Sequence, residues 1–160
     1  MRSLKFVFLA LSVPFLMGSA TEETTLVKGL KPGSLAPEIN LQDISLTGDG
    51  KYVLLQFWAA YDGKSRAENV LMYNEISNLK TNNLQLVSIS FDEKESIFNE
   101  TVKTDGLDSM TQFNVVQGRQ SDIFKEYQLE NGFGNLLINP EGVILAKNIA
   151  PKELASMELN

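Results

Sequence analysis

The sequence predicts an α/β domain, a central mixed sheet flanked by helices with an N-terminal strand and hairpin extension. Three observations carry that prediction. Val53, Leu54, Leu55 and Phe57 form a nearly all-apolar run, and a strand apolar on both faces belongs in the middle of a covered sheet. Past Asp62 the apolar period changes, with Ala67, Val70, Leu71, Tyr73, Ile76 and Leu79 filling one face of a helix. A second alternating run at 84–91 then follows, so strand, helix and strand make a parallel pair joined by a right-handed crossover.

Residues 1–20 stand apart from the domain. Arg2 and Lys5 precede an apolar run over 6–17, and Gly18, Ser19 and Ala20 offer small side chains for cleavage, the order of a secretory signal peptide. A membrane anchor fits less well, because about twelve apolar residues broken by Pro14 fall short of the roughly 20 that span a bilayer. No cysteine follows the small residues, which excludes a lipoprotein signal. The expectation is cleavage after Ala20, export to the periplasm or cell exterior, and one domain over 21–160 without a transmembrane span.

Residues 21–25 are polar and read as a loose terminus. A short strand is expected at 26–30. An edge strand is expected at 33–41, where Pro37 pushes the residue before it to an extended backbone and Ile39 and Leu41 continue the alternation. The turn signal at 48–50 lies between strand-like residues 44–46 and 52–58, a hairpin leading into the central strand. The helix after Asp62 runs to Asn78 or Lys80, stopped by Asn82 and Asn83. Asp92, at the end of the second strand, is expected to cap a helix reaching Thr104. A short strand at 112–116, a helix from Ser121 to Tyr127, a hairpin of 135–139 with 143–146 around Pro140 and Gly142, and a last helix opened by Pro151 complete the chain.

Composition removes whole classes of chemistry. The 160 residues include no cysteine and no histidine, so disulfides, thiol redox, the usual zinc sites and Ser-His-Asp catalysis are excluded within the chain. The net charge is −6, and loss of Arg2 and Lys5 makes the mature domain more acidic still. Its basic residues are scattered singly among acids, which argues against a nucleic-acid partner. Asp92, Glu93 and Glu95 lack the glycine-centred loop of a calcium site, and a solvated helix start accounts for them. Lys64 and Ser65 are adjacent and do not face each other on a helix, so a Ser-Lys pair is set aside. No metal or other cofactor is expected.

The residues around the end of the central strand carry a resemblance. Against the pattern F-W-A-x-W-C-G-P-C-R, the chain matches at Phe57, Trp58, Ala59, Gly63 and Arg66, with Tyr61 in place of another aromatic. Residues 33–41 resemble G-x-x-A-P-x-F-x-L, residues 87–92 resemble V-x-V-S-x-D, and residues 127–145 resemble Y-x-V…F-L-I-D-x-x-G-x-I. In this order and spacing the chain resembles the TlpA/ResA-like branch of the thioredoxin superfamily, exported thiol-disulfide proteins often classed with the redoxins. The resemblance implies a thioredoxin-like fold over nearly all of the mature chain.

Four functional positions depart from that family. Asp62 stands where the nucleophilic thiol would be and Ser65 where the resolving thiol would be. Gln56, which cannot ionise, occupies the position of the family's proton-moving residue. Phe133 falls where a cis-proline would face the thiols. Two readings of Asp62 follow: a helix cap, favoured by the helix dipole, or part of a recognition patch. The patch comprises Trp58, Tyr61, Asp62, Lys64, Ser65, Arg66 and Phe133, since exposed aromatics beside arginine are enriched in binding hot spots; for Trp58 core packing is the competing reading. The sequence therefore points to a non-catalytic, exported thioredoxin-like domain that binds a protein or small ligand, against an alternative thiol-disulfide role working only through a partner's thiols.

Overall fold

The structure is a computed structural model that describes residues 26–41, 44, 46–47, 50–79, 81–157 and 159. The expected signal peptide, the polar stretch at 21–25 and the turn residues 48–49 lie outside that set. In chain order the elements are β1 (Tyr52–Trp58), α1 (Gly63–Asn78), β2 (Leu84–Ser90), α2 (Glu95–Thr104), β3 (Gln112–Asn114), α3 (Asp122–Glu126), β4 (Asn135–Ile138), β5 (Ile144–Lys147) and α4 (Pro151–Ala155). The sheet order is β3-β2-β1-β4-β5. β1, β2 and β3 run parallel, while β4 pairs antiparallel with β1 and β5. This is the thioredoxin-like arrangement, with β1 at its centre.

The two faces of β1 explain the layers. Val53, Leu55 and Phe57 point into one core with Val87, Ile89, Phe91, Leu136 and Tyr127. Leu54 faces the other side and packs with Met72 of α1, Leu137 and Leu154 of α4. Between Leu54 and Trp58 on that second face sits Gln56, fully buried. The strand register aligns Gln56 with Ser88 on one side and Asn135 on the other, and Ser88 with Gln112 beyond. A row of polar side chains thus crosses the sheet under α1. Asn69 of α1 knits part of it, accepting from Ser88 Oγ at 2.6 Å and donating to Gln112 Oε1 at 3.0 Å. Asn135 bonds Ile149 through both backbone groups, as buried polar groups require.

That row overturns one sequence expectation. The buried side chains of α1 are Ser65, Asn69 and Met72, whereas Ala67 is exposed and Leu71 is 54% exposed. Val70, Tyr73, Ile76 and Leu79 are partly buried at the flanks. The helix lies on a polar strip, so its innermost stripe is polar too.

The N-terminal extension also differs from expectation. Instead of an edge strand at 33–41 there are isolated bridges, Lys28 with Leu35 and Leu35 with Val143. Gly33 donates to Ile144 O at 2.8 Å and Ile144 donates to Ser34 O at 2.9 Å, so this segment lies along the outer edge of β5. Among the described residues, Ile44 and Leu46 form no hairpin with β1, because β2 and β4 already occupy both edges of that strand. Leu46 is buried and Ile44 half-buried against the first core instead.

Candidate functional site

β1 ends at Trp58 and α1 begins at Gly63, with four residues between them; the site is the turn that those four residues make. Ala59 O accepts from Asp62 N at 3.0 Å. The turn is braced from β2: both oxygens of Asp92 lie within reach of the Ala60 N–H, at 3.0 and 2.9 Å, and Ser90 Oγ donates to the same carboxylate at 2.7 Å. Asp92 is only 3% exposed. This corrects its expected role as a solvated cap, since the cap position of α2 is Lys94, which makes no side-chain cap bond. The available signal was Ser88, Ser90 and Asp92 falling at strand alternation on one face.

Asp62 caps α1. Its Oδ1 accepts from Ser65 N at 2.8 Å, and its carbonyl accepts from Arg66 N at 3.0 Å. Ser65, 2% exposed, donates through Oγ to Asp62 O at 3.2 Å and accepts from Ala59 N at 3.3 Å. A nucleophile needs a base within hydrogen-bond reach of its proton. Ser65 gives its proton to a carbonyl oxygen, which activates nothing.

The other patch residues separate. Trp58 is 0% exposed and packs 6.1 Å from the Phe98 ring, so it presents no surface to a ligand and supports the site from below. Arg66 is spent on a bidentate pair with Asp105, at 2.7 and 2.6 Å, at the end of α2. That pair holds its guanidinium above the usual arginine range. Lys64 remains exposed, 3.8 Å from Glu68. Tyr61 is 55% exposed, its ring 6.3 Å from that of Phe133. Phe133 is half-buried, stacked 5.9 Å from Phe91 and edge-on to Phe124. The described residues contain no cis peptide bond, and Gly132 before Phe133 takes a positive φ of 120° that suits glycine alone.

Two clefts open near the turn. One, of about 590 Å³, is lined by Asp62, Lys64, Ser65, residues 132–135 and Asn148. It brings together the expected residues at the ends of β1 and β4. Asn148, missed by the sequence reading, fills the space that Gly134 leaves by lacking a Cβ. The other cleft, about 660 Å³, opens on the far side between Tyr61, Ile97 and Arg119, and Arg66 falls there. Among the described residues no three carboxylates gather as a metal site, and no helix is long and apolar enough to cross a membrane.

A parallel β-α-β unit, an antiparallel hairpin and a helix N-terminus facing the segment before β4 define a thioredoxin-like domain, here built without cysteine. Solved structures agree. A thioredoxin-like protein from Parabacteroides distasonis is 49% identical, with 82% of this chain and 96% of that one aligned at a TM-score of 0.78. A thiol-disulfide oxidoreductase from Bacteroides fragilis is 28% identical over 71% of this chain and 85% of its own, TM-score 0.58. The thioredoxin domain of a Bacteroides vulgatus thiol-disulfide oxidoreductase is 25% identical over 80% and 95%, TM-score 0.65. No family profile matches the sequence, and no curated protein matches it. The chain belongs to the thioredoxin-like family, as a member with no cysteine.

Proposed function

We propose that this chain is an exported, non-catalytic binding module that holds a protein segment or small ligand in the cleft beside the α1 N-terminus. One observation carries the reading: Asp62 and Ser65 satisfy the helix start where thiols would react, while the cleft against Gly132 and Phe133 stays open. In an open α/β sheet, ligands sit beyond the carboxyl ends of strands, whatever chemistry they undergo. Phe133 supplies half-exposed aromatic surface there, with the exposed Tyr61 ring 6.3 Å from it, and Lys64 an exposed cation 3.8 Å from Glu68. Relatives described as thiol-disulfide oxidoreductases make disulfide chemistry the competing activity, and it requires a sulfur nucleophile that this chain lacks.

The test has two arms. Purified protein should reduce a small-molecule disulfide no faster than buffer with dithiothreitol; reduction above that background would overturn the non-catalytic reading. With a partner captured from the native extracytoplasmic fraction, Tyr61→Ala and Phe133→Ala should each weaken binding by about 1–2 kcal/mol or more without changing the fold. A partner indifferent to both would place the working surface elsewhere. Export rests on the order of charges, apolar run and small residues at 1–20. Intact mass from that fraction should begin at Thr21, and full-length protein recovered only from the cytoplasm would refute it.

A further inference from the structure

The lip of the cleft beside α1 is a short helical turn, Leu129–Asn131, held between two unusual backbones. Gln128 before it is left-handed at φ 53° and makes no side-chain cap bond, and Gly132 after it stands at φ 120°. A residue other than glycine held left-handed is strained, so opening this turn relieves a cost as well as breaking bonds. Asn131 is exposed, and it is the only asparagine in the chain followed by glycine. Its Nδ2 donates to Gln128 O at a long 3.5 Å, while the Gly132 N–H donates to Leu129 O at 3.0 Å. Nothing stands within 4 Å of where a Cβ would lie on Gly132, so no neighbour crowds that side of the glycine. Every other asparagine from Asn40 to Asn148 precedes a residue with a side chain. Asn69 and Asn135 are in addition buried and hydrogen-bonded.

We propose that Asn131 is a self-modification site, at which the chain converts its own amide to isoaspartate and aspartate and so remodels the cleft that Asn131 lines. The Gly132 nitrogen gives its proton to solvent base and bonds to Asn131 Cγ; the Cγ–Nδ2 bond breaks, and Nδ2 takes up a proton and leaves as ammonia. Glycine favours this attack because its nitrogen has no Cβ beside it. Water then adds to either carbonyl of the cyclic imide and breaks that carbonyl's bond to nitrogen. Opening at the side-chain carbonyl gives aspartate. Opening at the main-chain carbonyl gives isoaspartate, with an extra carbon in the backbone. No electron donor or acceptor takes part. The cleft walls set Asp62 and Glu68 against Lys64 and Lys147, so the new carboxylate tips a balanced surface to negative. The extra carbon falls just ahead of Phe133, whose ring stacks 5.9 Å from that of Phe91. The modification holds or fails whatever the cleft binds.

The purified protein is incubated for weeks in mildly alkaline buffer and sampled by intact mass, peptide mapping and an isoaspartate-specific methyltransferase. Mass should rise by the exchange of ammonia for water, and fragmentation should place the gain at Asn131 before the exposed Asn82, Asn83 or Asn148. Isoaspartate should exceed aspartate, the modified species should be held longer on an anion exchanger, and the rate should fall as the pH is lowered, because base withdraws the Gly132 proton. Asn131→Gln keeps the amide but must close a larger ring, so it should lose the gain at an unchanged melting temperature. A gain that appears first elsewhere, or a total gain undiminished in Asn131→Gln, would overturn the proposal. So would a folded protein that stays unmodified while a capped peptide of residues 129–134 converts beside it, since the Leu129 bond would then keep the nitrogen out of reach. Peptide mapping of the parent protein decides the matter even if the variant fails to fold.

Discussion

Two carboxylates, one past the end of β1 and one past the end of the neighbouring β2, hold the same turn, and they differ in what their loss exposes. Asp62 sits at a half-exposed helix start, so Asp62→Ala removes a cap and costs about 0.5–2 kcal/mol. Asp92 is buried, and Asp92→Ala strands the Ala60 N–H and Ser90 hydroxyl without an acceptor, at about 1–3 kcal/mol for each unsatisfied group. Urea denaturation should therefore rank Asp92→Ala as the more damaging; the reverse order would mean the turn relaxes to find new partners. The cap was legible in the sequence because an acid directly preceding a helical period is a strong local signal. Asp92 was misread for the same local reason: an acid near a helix start looks like a cap until the tertiary fold carries it under the Ala60 backbone. Arg119 and Asn148 gave no sequence signal, since their meaning comes from Tyr61 and Gly134, distant in the chain.

The α1 start and the residues beneath it form a unit whose shape has outlasted its chemistry. Asp62→Cys with Ser65→Cys places two sulfurs at i and i+3 on the cap turn, a spacing that suits a disulfide. Oxidation should lower the intact mass by two hydrogens, while turnover on a small-molecule disulfide stays close to background. Gln56, buried and without an ionisable proton, and Phe133 are the reasons. Efficient turnover by the double variant would show those two departures to be unimportant. At this scale most of the fold could be read ahead: β1, α1, β2, α2 and the β4-β5 hairpin fall within a few residues of their expected places. The misses share a cause. Periodicity marks apolar faces, so it passed over the buried polar stripe of α1, and alternation at 33–46 read as strands because a free edge on β1 cannot be judged locally.

Across the whole molecule, cohesion comes from packing and long-range hydrogen bonds, without covalent staples. One such bond joins residues 90 positions apart: Tyr127 OH donates to Pro37 O at 2.6 Å. Burial first, and the Glu126 charge second, push the Tyr127 phenol above its ordinary value of 10.0. The folded protein thus keeps a proton that the unfolded chain releases, and stability from this group is full below pH 10.0 and declines as the pH rises above it. Tyr127→Phe should lose about 0.5–1.5 kcal/mol at neutral pH and show a shallower alkaline decline than the parent. Parallel declines in denaturant titrations above pH 10.0 would place that sensitivity in another group.

The backbone contacts of Gly33, Ser34 and Ala36 with Ile144 and Gly142 have a colloidal consequence. A bare outer strand offers a ladder of donors and acceptors that another chain can extend into a fibre, and a covered one does not. The irregular N-terminal segment therefore acts as a guard against polymerisation for an edge that would otherwise stay sticky. Trimming the chain to start at Leu41 should leave far-ultraviolet circular dichroism near the parent's while light scattering grows with time and concentration. Replacing Leu145, 43% exposed on that strand, by lysine in the trimmed protein should slow the growth, because a charge on an open edge blocks stacking as a covering segment does.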